Sequence, residues 1–138
     1  MKRLLVALAV LSSLSSSALA EEKKKEDVGQ NVSISPVALP IVVDGKLVNY
    51  VFVTVRLDLA PMVNASKLRE KEPYFRDALV RAGHRTPFTL MSDLTKVDEA
   101  KLKAAMMRES AVIAGPGAVR SVTLINQAPK TLRGPSYR

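Results

Sequence analysis

KLVNYVFVTVRLDL, Lys46 to Leu59, is the stretch whose reading decides the fold. In an extended chain, successive side chains point to opposite faces of a sheet. Val51, Val53, Val55, Leu57 and Leu59 then share one apolar face, while Tyr50, Phe52, Thr54, Arg56 and Asp58 share the other. The first set is core-like. The second is mixed aromatic, polar and charged, which suits a face that is solvated or meets a partner. Tyr50, Phe52, Thr54 and Arg56 are therefore the candidate interaction face. No proline interrupts the run, so it reads as an interior strand, and its length predicts a bend or bulge.

Upstream, Asp44-Gly45 is a favoured pair for a two-residue turn, because both residues tolerate positive φ. The turn joins the long strand to Val37–Val43, a strand that Pro36 and Pro40 confine to a sheet edge or make irregular before Ile41. Downstream, Ala60-Pro61 stops the strand and Asn64 or Ser66 can cap a helix. Leu68, Phe75, Leu79 and Ala82 then recur at helical spacing, with Ala78 beside them. Pro73 predicts a short turn followed by a helix carrying the proline in its first turn, with Gly83 as its stop. A second helix is expected from about Lys96, capped by Thr95, with Val97, Leu102, Ala105, Met106 and Ile113 toward the core. Gly115-Pro116-Gly117 ends it, and Ala118–Gln127 is a last strand. The predicted class is α+β: a small antiparallel sheet packed by two helices, in the order β-β-α-α-β.

The ends of the sequence point to export. Lys2 and Arg3 precede an apolar run from Leu4 to Leu14, and Ala18-Leu19-Ala20 forms a small-residue cleavage pattern. Residues 1–20 read as a signal peptide, with a retained N-terminal anchor as the alternative. Residues 21–34 read as a charged linker, 35–127 as the domain and 128–138 as a basic flexible tail. There is no cysteine, which removes disulfides, thiol nucleophiles and thiolate metal sites, and which suits a protein of the bacterial envelope. Net charge is +8, from 21 Lys and Arg against 13 Asp and Glu. The cations are spread among acids and lack interleaved aromatics, which disfavours nucleic-acid binding.

Catalytic and cofactor signals are missing from the sequence. His84 is the single histidine and has no nearby carboxylate pair, so it reads as a loop or helix-end residue. No phosphate-binding glycine loop, metal spacing or nucleophile elbow occurs. The expectation is a chain that is not an enzyme and takes no cofactor or metal.

The order of elements, with EPYFRDAL in the first helix, SDLT in the connection and VRSVTLIN in the last strand, resembles the periplasmic domain of the flagellar basal-body-associated FliL family. Pro73, Arg76, Ala78 and Leu79 match the family's PxxRxAL helix start, Asp93 and Leu94 its DL connection, and Val119 to Asn126 its terminal strand. The likeness spans about Val37 to Gln127. It implies a stomatin-like domain that self-associates, without catalysis, beside the torque-generating stator units of the flagellar motor or with other envelope proteins. Members of that family keep a transmembrane helix, whereas this start looks cleavable, so a tether to the membrane depends on the signal being retained. The alternative reading is a periplasmic binding module for an anionic small or polymeric envelope ligand.

Overall fold

A computed structural model of the chain describes residues 29–130. They form a three-stranded antiparallel sheet, β1 (Asn31–Val43), β2 (Lys46–Leu59) and β3 (Val119–Pro129), in the order β1-β2-β3. Three helices, α1 (Ala65–Glu70), α2 (Glu72–Arg85) and α3 (Glu99–Ala114), connect β2 to β3. The α+β class holds, and the long strand is the centre of the sheet.

The parity of β2 is the organising fact. Val51, Val53, Val55, Leu57 and Leu59 are all 3% exposed or less, while none of Tyr50, Phe52, Thr54, Arg56 and Asp58 is buried. The helices bury the odd-numbered face through Phe75, Leu79, Leu102 and Met106, which join the strand residues in one cluster. The strand departs from regular pairing as its length predicts. Register breaks lie opposite β3 at Thr54/Val55 and Asp58/Leu59, and opposite β1 at Ile34/Val37 and Ile41/Val42. The break at Ile34/Val37 contains Pro36, which sits where a ladder bond is already interrupted. Asp44 and Gly45 take φ of 49° and 73°, the left-handed pair that a tight hairpin turn requires.

Several boundaries differ from expectation. The first strand starts at Asn31, so residues 31–34 are not linker. Val32 pairs with Leu57 and Ile34 with Val55, both buried on the helix side. A two-residue alternation gave those positions a sheet face despite the polar residues around them. Three helices stand where two were expected, because the turn before Pro73 is itself helical. Asn64 caps α1 by accepting from the Lys67 amide at 3.1 Å, and Pro73 occupies the first turn of α2, where its missing N–H is not needed.

Gly83 does not stop α2, which runs on to Arg85. A side chain there would bring its Cβ to 2.8 Å of Leu39 Cδ2, so the glycine lets the helix lie close on β1. The third helix starts at Glu99 rather than Lys96, with Asp98 as its cap, accepting from the Lys101 amide at 3.2 Å. The preceding amides are engaged elsewhere. Val97 N donates to Gln127 Oε1 at 2.9 Å and Asp98 N to the Phe88 carbonyl at 2.8 Å, while Thr95 bonds to Asp93. Gly115 ends α3 with φ of 91°. The last strand extends through Ala128 and Pro129, opposite Phe52 and Val51, so those residues are not tail. The segment read as a signal peptide, most of the charged linker and residues 131–138 lie outside the described residues. Among the described residues, no helix is long and apolar enough to cross a membrane.

Candidate functional site

Among the described residues the sheet has one covered face and one bare face, and the bare face gathers the four residues singled out by parity. Tyr50, Phe52, Thr54 and Arg56 line the middle of β2, with Pro40, Ala38 and Ser33 of β1 opposite on one side and Ala128, Asn126 and Thr123 of β3 on the other. Phe52 is 45% exposed, a large apolar side chain left in water at the sheet centre. Lys130 donates its backbone amide to the Tyr50 carbonyl at 2.7 Å and holds its ammonium 5.9 Å from the Tyr50 ring centroid, within cation–π range.

The charged end of this face is a closed network. Arg56 Nε donates to Asp58 Oδ1 at 2.8 Å, and Asp58 Oδ2 accepts from Ser121 Oγ at 3.0 Å and Thr123 Oγ1 at 2.9 Å. Partial burial pushes the Asp58 carboxyl up, but the hydrogen bonds from Thr123 and Ser121 and the charge of Arg56 outweigh it and hold it below its ordinary range. A carboxylate so stabilised is a weak base. With both oxygens engaged, the group serves as a clamp between β2 and β3. The sequence places Asp58 on this face without marking it. The spacing Arg56–Asp58 was the available signal, while the two hydroxyls come from a strand more than sixty positions away.

The clamp has a testable pH dependence. The folded pKa of Asp58 lies below its unfolded value, so the unfolded chain takes up the proton more readily, and the contribution of Asp58 is complete above about pH 4 and is lost as pH falls through the folded pKa. Asp58→Asn is expected to destabilise the fold by about 1.5–3 kcal/mol at pH 7, the range for hydrogen bonds to a charged group. Urea titrations should show wild type and variant converging in acid. A difference that persists unchanged to low pH would remove the charge from the explanation.

His84 lies apart from this face, its Nδ1 against the Val80 carbonyl of the same helix at 2.8 Å. Among the described residues, no three His, Asp or Glu side chains come together as metal ligands would.

The two edges of the sheet differ sharply. On β1, Ser35 N donates to Glu72 Oε1 at 3.0 Å, Val42 N to Thr89 Oγ1 at 3.1 Å, and the Asn31 and Val42 carbonyls accept from Arg69 Nε and Thr89 Oγ1. Pro36 and Pro40 have no N–H to offer. That edge is engaged near both ends, and between them two prolines remove donors. On β3, among the described residues, no hydrogen bond reaches the backbone of residues 119–129 from the side away from β2. Ile125, the extra residue at a register break, stands 50% exposed on this strand.

Compared with known proteins by sequence, the chain matches no family model and no curated protein. The resemblance to the FliL family therefore rests on element order and on the short motifs. In the structure those motif residues begin α2, with Pro73 in its first turn, Arg76 3.9 Å from Glu72, and Ala78 and Leu79 buried.

Proposed function

We propose that this chain is a non-catalytic interaction protein of the bacterial envelope, similar to FliL, which works by self-association and supports a larger assembly such as the flagellar motor and its stator units. The free edge of β3 among the described residues, set against a β1 edge engaged near both ends and interrupted by Pro36 and Pro40, is the observation that carries this reading. An unpaired strand edge is a template for another strand. Since the β1 edge is engaged near both ends and broken by two prolines, β3 is the better edge for a second copy among the described residues, and β3 against β3 is antiparallel about a two-fold axis.

Such pairing makes one continuous sheet of six strands. The two-fold axis stands perpendicular to that sheet, so both rows of Tyr50, Phe52, Thr54 and Arg56 lie on the same side. They form a double-width surface for the envelope partner. A ring of many copies requires a second contact besides the edge, and this surface is a candidate for it.

Sedimentation of the purified protein across a concentration series tests the pairing. The expected result is a dimer that dissociates on dilution. Ile125→Lys, which places a charge on the edge, should give a monomer of unchanged unfolding midpoint. A wild-type protein that stays monomeric at every concentration, in a host whose motility survives deletion of the chain, would overturn the reading.

A further inference from the structure

A groove of about 390 Å³ runs between the end of α2 and the outer side of α3. Its polar rim is Arg85 and Thr86 from one side and Lys101, Arg108 and Glu109 from the other, and its floor includes Phe88 and Ala105. Helical spacing explains the second set, since positions 101, 105, 108 and 109 fall on one stripe of α3. Phe88 and Ala105 are 3% and 6% exposed, so the floor is the outer surface of the core itself.

The charges on the rim do not balance. Arg85, Lys101 and Arg108 supply three positive charges against Glu109 on the rim and Asp98 just outside it, 3.8 Å from Lys101, a local net of +1. The carbonyl end of α2 contributes about half a negative charge, too little to offset the excess. Two of the cations are held loosely. Arg85 Nη2 lies 3.3 Å from Glu109 Oε1 with the arginine 67% exposed, and Lys101 Nζ is 3.8 Å from Asp98 Oδ2. Exposed pairs of this kind contribute little to stability and exchange readily for a better anion. Among the described residues, Arg108 has no hydrogen-bond or ion-pair partner.

We propose that this groove binds a small phosphate monoester, the dianion between Arg85, Lys101 and Arg108 and an apolar substituent against Phe88 and Ala105. A phosphate monoester carries close to two negative charges at neutral pH, which three cations converging on one groove can meet. Guanidinium groups suit phosphate because their planar donors engage two oxygens at once. The volume is within the range of small-molecule sites. This site is separate from the self-association reading, since it lies on the helices and uses neither β3's edge nor the bare sheet face.

Calorimetric titration of the full chain with phenyl phosphate, and separately with inorganic phosphate and benzoate, tests the proposal. Phenyl phosphate should bind at least ten-fold more tightly than either control. Arg108→Ala should weaken it ten-fold or more, and Glu109→Gln, which frees Arg85 and raises the local charge, should strengthen it several-fold. Lys103→Ala removes the same charge from a residue paired with Glu99 outside the groove, and should leave binding unchanged. Equal losses in the Arg108 and Lys103 variants would reduce the effect to overall charge and overturn the site. So would Arg108-dependent binding to phosphatidylglycerol vesicles with none to phenyl phosphate, which would make the groove a membrane contact.

Discussion

Val55→Asp is expected to abolish cooperative unfolding, while Thr54→Asp, one residue earlier, costs no more than about 1 kcal/mol, the span of strand preferences. Val55 is 0% exposed and lies between Ile34 of β1 and Leu124 of β3. An aspartate there forfeits about 1.5–3 kcal/mol of side-chain burial. It also brings a carboxylate into the core at an effective penalty of several kcal/mol. A domain of this size has only about 5–15 kcal/mol in total. Thr54 faces the bare side opposite Asn126, where a carboxylate keeps its water. Circular dichroism through a urea series separates the two variants. Equal losses would mean that the strand's parity is not what divides core from surface.

Phe75→Ala carries the next largest effect, about 3–5 kcal/mol, the range for truncating a buried phenylalanine. Phe75 is fully buried on the face of α2 that also presents Leu79 and Ala82 to the sheet. The close seat of α2 on β1 limits how far the surroundings can collapse into the hole, because Gly83 already lies against Leu39. Tyr74→Ala, at a neighbouring side chain that is 66% exposed, should stay within about 0.5 kcal/mol. The difference in urea midpoints between these two variants measures how much of the stability runs through this helix–sheet contact.

The central strand was legible because a period of two survives in its side chains without a proline to break it. Its turn was legible because Asp44-Gly45 has few alternatives. Misreadings came where local signals compete with distant partners. Gly83 has the chemistry of a helix stop, but its role is set by Leu39, forty-four positions away. Thr95 has the chemistry of a cap, but Gln127 and Phe88 hold the next amides out of the helix. The candidate face was found by parity, whereas its Asp58 clamp needs hydroxyls from β3. The groove escaped notice because Lys101 and Arg108 read as ordinary polar helix positions until Arg85 is brought opposite them.

The two sides of β2 are completed by very different routes. β1 reaches it through a two-residue turn, which closes a loop at small entropic cost, whereas residues 60–118 separate it from β3. The pairing with the greatest sequence separation is therefore the last to which the emerging chain has access, and its contact separation makes it the pairing expected to form most slowly. Until then, the middle strand has its own bare edge. Arrival of β3 transfers that edge from the centre of the molecule to its rim, so the strand that completes the sheet also carries its unpaired side among the described residues.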